Sequence, residues 1–390
     1  MFNTLEQSTL WSRNLSNNYG PPLLHIVSGS GCYVFDESGK RYLDLLGGIA
    51  TNILGHCHPA IVKAIGEQSN QLGHVSNFYS HPQVILLSQK LKELYGDLEA
   101  KVFFSNSGTE ANEAALKLSR LSGRRSIIAT VNGFHGRTMG SLSMTGQESK
   151  RAPFQPLLKK ITHIPFGDIR AARKKITKRT AMVIVEPVQG EAGVVIPPKG
   201  YLKELRDITD EQGVILALDC VQTGMGRTGS WFGYEQEGIR PDIVTLAKGL
   251  AAGLPIGATI ISSKIRDFAP GDHGSTFGAN PIVCASALAA IKEVENGNHL
   301  ITNQSKGEFL RSQLSGTSKI KDIRSAGLLV AIEFEQDIAL ILRNDLQEKG
   351  FLVNACNPRT IRLAPPFIIT EPELTSFAKN LIALLERYGQ

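Results

Sequence analysis

No stretch of the 390 residues approaches the ~20 consecutive apolar positions that cross a bilayer, so nothing in the sequence suggests a membrane-spanning helix. The opening residues, Met1 to Arg13, lack the apolar core of a secretory signal. Cysteine is scarce. The five residues (Cys32, Cys57, Cys220, Cys284, Cys356) are scattered, odd in number and free of any C-x-x-C pair. That argues against a disulfide scaffold or zinc site and for reduced thiols in the cytosol. There is no long Lys/Arg block. The formal charge of +6 is diffuse, and the basic run Arg170 to Arg179 reads as a solvated helix face, not a nucleic-acid patch. His56 and His58 have no third metal ligand in view and read as loop packing. No repeat or low-complexity tract is present. No G-x-x-x-x-G-K-[ST] occurs, and no G-x-G-x-x-G opens a helix directly after a strand, which disfavours a nucleotide-binding module.

What is there begins with three short apolar runs, each closed by one polar residue. They are Met182–Val185 then Glu186, Val214–Leu218 then Asp219, and Ile243–Ala247 then Lys248. Runs of this kind read as buried parallel strands. The separations, 33 residues from Glu186 to Asp219 and 29 from Asp219 to Lys248, match the roughly 30 residues of a βαβ unit. Carboxylate and amine therefore fall at the C-terminal ends of neighbouring strands, where open α/β sheets bind ligands. The predicted class is α/β with a mainly parallel sheet. At this length a second, smaller domain is expected.

In chain order, residues 1–20 read as a polar arm anchored by Trp11, and His25 to Leu45 as a small hairpin structure. Helices are expected over Pro59–Leu72 and Pro82–Tyr95. A strand at Lys101–Phe104 leads to Ser107-Gly108-Thr109-Glu110, a capping box that presents free N–H groups and a helix dipole to an anion. A plain helix cap is the competing reading, and Glu110 and Glu113 count against an anion only if they point inward. A strand at Ser126–Val131 delivers Phe134, able to stack on a flat ring, and Arg137, able to fork onto a carboxylate. The loop Cys220–Gly229 is a candidate site wall. A strand at Ala258–Ile261 and a linking helix at Pro281–Glu295 follow. The C-terminal part reads as strand Leu329–Phe334, helix Ile338–Lys349, strands Phe351–Val353 and Thr360–Leu363, and a last helix capped by Thr370-x-x-Glu373. The expected division is 1–50 (arm and part of the small domain), 51–280 (large domain) and 281–390 (linker helix and small domain).

A phosphate cup, an aromatic ring, a buried carboxylate, a strand-end lysine and two arginines together suit a planar phosphorylated pyridine aldehyde. On this reading Lys248 bonds the aldehyde as an imine, and Asp219 keeps the pyridine nitrogen protonated. Gly108 and Thr109 take the phosphate, and Phe134 lies on the ring.

The runs SNSGTEANEAALKLSR (105–120), GFHGRT (133–138), VEPVQGEAGVVIPP (185–198), DCVQTGMGRTG (219–229), TLAKGL (245–250), HGSTFGANP (273–281) and RLAPP (362–366) carry a resemblance over nearly the whole chain. The sequence resembles class-III pyridoxal-phosphate aminotransferases, and within them the acetylornithine subgroup, with LDLLGGIATNILGHCHP (43–59) similar as well. The resemblance implies a fold-type-I homodimer with its site at the subunit interface. It implies cofactor contacts from Ser107, Gly108, Thr109, Phe134, Asp219, Val221, Gln222 and Lys248, with Gln222 on the ring's phenolic oxygen and Thr276 reaching the phosphate from the other subunit. Arg137 and Ser275 are expected to hold the carboxylate end of an acetylated substrate, and Arg362 a second carboxylate that Glu191 masks in turn. The implied reaction moves the side-chain amine of N2-acetylornithine to 2-oxoglutarate.

Two positions depart from the family pattern. Cys220 stands where a Glu usually follows the aspartate; strand alternation turns it away from Asp219, so a packing effect is expected. Ala279 replaces a usual glycine near the interface. Ornithine, succinylornithine, 4-aminobutyrate and lysine-pathway aminotransferases share these motifs and remain alternatives, as does a catalytically silent binding module.

Overall fold

The computed structural model describes residues 4–387. Its central sheet has seven strands. In chain order after three N-terminal strands, β1 (Ile26–Ser30), β2 (Tyr33–Asp36) and β3 (Arg41–Asp44), these are β4 (Lys101–Ser105), β5 (Ser126–Thr130), β6 (Ile161–Ile164), β7 (Thr180–Val185), β8 (Ile215–Asp219), β9 (Ile243–Leu246) and β10 (Gly257–Ile261). They lie in the order β4-β10-β9-β8-β7-β5-β6. Only β10 runs against its neighbours β4 and β9, and the β9-β8-β7-β5-β6 block is parallel.

The apolar runs are continuous because successive side chains enter two different cores. Met182, Ile184, Ala217 and Ile243 pack on one face of the sheet. Val183, Val185, Leu216, Leu218, Val244 and Leu246 pack on the other. A strand covered on both faces is written almost wholly in apolar residues, and the polar exception within β9, Thr245, is buried with its hydroxyl bonded. Glu186, Asp219 and Lys248 mark the strand ends.

Two further sheets complete the fold. β11 (Ile320–Ala326), β12 (Leu329–Phe334), β14 (Asn354–Asn357) and β15 (Thr360–Leu363) form an antiparallel sheet in the order β11-β12-β15-β14. The short β13 (Phe351–Leu352) leaves this sheet and pairs in parallel with β3, Phe351 opposite Leu43. The two ends of the chain thus share one sheet, although β13 reads locally as a neighbour of β15.

Several elements differ from the sequence reading. Residues Thr4–Asn14 form a helix, not an irregular arm, tied to the β2 turn by Gln7 Nε2 donating to Glu37 Oε2 at 2.7 Å. Residues 1–3 of that arm lie outside the described part. β6, β11, β14 and the helix His299–Leu314 were not foreseen, whereas the helix Tyr201–Gln212 is the crossover that the spacing from Glu186 to Asp219 required. β6 and β11 are edge strands with partly exposed patterns, so their sequences alternate weakly. Cys220 is buried in the main core, and burial pushes its thiol far above the usual range. Among the described residues no helix is long and apolar enough to cross a membrane.

Candidate active site

Five strands of the central sheet, β4, β5, β7, β8 and β9, end on one cavity of about 430 Å³. Its walls include Ser107, Gly108 and Thr109 after β4, Phe134 and Arg137 after β5, Glu186 and Glu191 after β7, Asp219, Val221 and Gln222 at β8, and Lys248 after β9.

After β4 the chain turns into the helix Gly108–Arg120. Ser107 caps it, its Oγ accepting from the Glu110 N–H at 3.3 Å. Glu110 turns back to accept from the Asn106 N–H at 2.9 Å. Glu113 accepts from the N–H groups of Gly140 and Ser141 at 2.8 and 3.0 Å. Glu110 in the first turn and Glu113 in the second are thus engaged away from the cup. The first N–H groups of a helix have no partner within it, so Gly108 and Thr109 face the cavity as donors. Two glycines shape the wall by close approach. A Cβ on Gly136 would stand 2.2 Å from Thr109 Oγ1, and one on Gly190 2.0 Å from Gln222 Oε1.

Asp219 is held from behind. Its Oδ2 takes hydrogen bonds from Asn112 Nδ2 and His135 Nδ1, each at 2.8 Å, and its Oδ1 from the Val221 N–H at 3.1 Å. Thr245 Oγ1 donates to Asn112 Oδ1 at 2.8 Å and fixes the amide. Glu186 accepts from the N–H groups of Phe134 (2.8 Å) and Gly190 (3.2 Å). Burial, reinforced by Asp219 and opposed by His135, raises its carboxyl to about 7. Lys248 begins a turn with φ +44, a strained setting for a side-chain-bearing residue. Burial pulls its ammonium down to about 8, with Glu191 opposing and Arg362 adding to the effect.

Arg362, from β15, is buried and does not itself line the cavity; it stands behind two residues that do, its Nη1 donating to Glu191 Oε1 at 2.5 Å and to Gln222 Oε1 at 3.0 Å. Its Nη2 donates to Asn354 Oδ1 at 3.1 Å. Burial alone would raise Glu191, but Arg362 and then Lys248 outweigh it and hold the carboxyl at about 2. Gln222, expected on the cofactor, spends both ends of its amide on this pair, its Nε2 donating to Glu191 at 3.3 Å.

Ser275 and Thr276 are not part of this chain's cavity. Ser275 Oγ accepts from Asn106 Nδ2 at 3.2 Å and from the Gly278 N–H at 3.0 Å, and Thr276 is exposed. The loop Cys220–Gly229 is a site wall only at its start. Gly224–Gly229 spells G-x-G-x-x-G, yet it opens no helix, and its Arg227 is buried against other parts of the chain. Asn112, His135, Glu186 and Thr51 line the cavity without having been assigned to it. Glu186 was visible as the polar end of the first apolar run. The other three carry no local signal.

The sequence matches the family of class-III aminotransferases over residues 15–385. The chain belongs to that family. This aminotransferase is 47% identical to an acetylornithine aminotransferase of Mycobacterium tuberculosis, over 97% of this chain and 95% of that protein. It is 45% identical to one of Streptomyces coelicolor, over 99% and 96%. Among solved structures it superposes on an ornithine aminotransferase of Toxoplasma gondii with TM-score 0.93 at 30% identity, covering 100% of this chain and 96% of that one. It also superposes on an acetylornithine aminotransferase of Elizabethkingia anophelis with TM-score 0.88 at 33% identity, covering 99% and 100%. The fold is therefore that of fold-type-I enzymes, and the cofactor is pyridoxal 5'-phosphate. Its chemistry fits the residues present: a helix N-terminus for a dianion, a braced carboxylate for a ring N–H, an aromatic face and an enclosed amine.

Proposed function

We propose that this aminotransferase moves the side-chain amino group of N2-acetylornithine to 2-oxoglutarate, forming N-acetylglutamate 5-semialdehyde and glutamate. The observation that carries the reading is the Arg362–Glu191 pair at 2.5 Å, in which Glu191 lines the same cavity as Lys248 and Arg362 stands behind it. One pocket must accept a dicarboxylate and, in turn, an amine whose carboxylate is remote. An arginine that an internal acid can mask or release serves both. The names of the M. tuberculosis and S. coelicolor relatives support the same substrate.

When bound, pyridoxal phosphate supplies an electron sink that acidifies the C–H beside a substrate amine. The chain's own residues supply the rest. The Gly108–Thr109 N–H groups hold the phosphate, Phe134 covers the ring face, and Asp219, braced by His135 and Asn112, keeps the ring N–H protonated. Lys248, with its pKa drawn toward neutrality, takes and returns a proton at Nζ. Arg137 receives the far carboxylate, and Arg362 receives the second carboxylate of 2-oxoglutarate once Glu191 lets go.

The active form is a homodimer in which Thr276 completes the partner's phosphate site and Ser275 the substrate end. Support comes from Phe78, Tyr79 and Phe277, which are 93%, 70% and 57% exposed, and from Asn77 Nδ2, which ties this patch to the carbonyls of Ser275 and Gly278 at 2.9 and 3.1 Å. We divide the chain at residues 50 and 280, so that Lys248 and Arg362 come from different domains. Five unpaired thiols support a cytosolic setting.

Steady-state assays with N2-acetylornithine, ornithine and 4-aminobutyrate, each against 2-oxoglutarate, test the substrate. The acetylated amine is expected to have the highest kcat/KM; a higher value for another donor overturns the assignment. Borohydride reduction and peptide mapping are expected to place the cofactor on Lys248, and Lys248→Ala to lose both the visible band and turnover.

A further inference from the structure

Phe134 carries two cations. The Arg137 guanidinium lies 5.7 Å from its ring centroid and Lys150 Nζ 4.9 Å. Lys150 stands on the single turn Glu148–Arg151, is half-buried, and donates to Gln147 Oε1. No carboxylate pairs with it among the described ion pairs. The charges whose fields reach it are Glu191, Arg137 and Arg362. Glu191 is already committed to Arg362 at 2.5 Å. An ammonium has three donors, and enclosing it without an anion is unfavourable. A cation–π contact returns only about 0.5–1 kcal/mol at an exposed site, and a second cation on the same ring works against it. Burial accordingly draws the Lys150 ammonium below its ordinary range. The arrangement lacks one partner, an anion brought in from outside.

We propose that Lys150 is a specificity-determining residue that, together with Arg137, binds the substrate carboxylate remote from Lys248. Two cations sharing Phe134, and not Arg137 alone, then select carboxylate-bearing donors and acceptors over plain amines. This rests on the substrate reading above, and its test is separable from it.

In the full-length enzyme loaded with cofactor, Lys150→Met is expected to raise KM for both N2-acetylornithine and 2-oxoglutarate about tenfold, with kcat within twofold. KM for 1,4-diaminobutane, which has no carboxylate, should not change. Lys150→Arg should stay within threefold of the parent throughout. A merely structural lysine would lower kcat and thermal stability without sorting substrates by carboxylate. Unchanged KM for both acids, or an equal rise for the diamine, overturns the proposal. If Lys150→Met does not fold, Lys150→Gln takes its place. Calorimetric titration with glutarate needs no turnover: a roughly tenfold weaker dissociation constant in the neutral variant supports the role of Lys150 even if N2-acetylornithine proves not to be the donor, and an unaltered one refutes it.

Discussion

Ala279 sits at φ +59, where a Cβ crowds the neighbouring carbonyl and costs ~1–2 kcal/mol. Its carbonyl accepts from His81 Nε2 at 2.9 Å, so the strained backbone is pinned in place. Ala279→Gly is expected to stabilise the protein by about 1 kcal/mol after the extra chain entropy of glycine is subtracted, read as a higher urea midpoint with an unchanged slope. The other departure, Cys220, faces the core and not the cofactor, as strand alternation required. At Glu191 the charge argument becomes kinetic. Removing the carboxylate in Glu191→Ala leaves Arg362 permanently free for an α-carboxylate. The ratio of kcat/KM for glutamate over N2-acetylornithine is expected to rise at least tenfold; an unaltered ratio refutes the masking role.

The loop after β8 does more at the level of elements than its sequence suggested. Val221 and Gln222 face the cavity, but Arg227 is buried and clasps the carbonyls of Leu328 (3.1 Å) and Pro365 (2.6 Å), its guanidinium 4.7 Å above Phe367. It has no carboxylate among the described ion pairs, and burial lowers it to about 9. It thereby ties the Asp219 loop to the start of β12 and to the turn after β15, the strand that carries Arg362. Arg227→Ala strands two buried carbonyls and opens a cavity, a loss of about 3 kcal/mol or more. Thermal melting should show it, together with a higher KM for 2-oxoglutarate. Arg227→Lys should fail to restore either, because an ammonium cannot lie flat on Phe367 while reaching both carbonyls.

For the whole molecule two expectations follow from charge and exposed surface. Glu186 in the folded chain titrates near 7 against 4.5 for an ordinary glutamate. Between these values the folded state keeps a proton that the unfolded state has released. Its contribution to stability therefore falls as pH rises through that window. In cofactor-free protein, the stability of Glu186→Gln relative to the parent should grow from pH 5 to pH 7.5, measured as the difference in urea midpoints. The second expectation concerns assembly. Light scattering should give about twice the chain mass of 42.3 kDa. Phe78→Asp, which charges the exposed Phe78–Tyr79–Phe277 patch, should shift the protein toward monomer and weaken phosphate retention, since Thr276 is then withdrawn.

The sequence by itself determined the strands β7, β8 and β9 and the charged residue at each of their ends, because a strand buried on both faces is written mainly in apolar residues and excludes unpaired charge. It also determined the Ser107 and Thr370 helix caps, whose hydrogen bonds are local. The resemblance named Arg362 and Glu191 as partners, but they are 171 positions apart and only folding brings them to 2.5 Å. The pairing of β13 with β3, the bracing of Asp219 by His135 and Asn112, the bonding of Gln222 to Arg362 and the clasp made by Arg227 were decided by tertiary structure. Each joins groups distant along the chain, and a polar side chain bears no local mark of the partner that folding will bring to it.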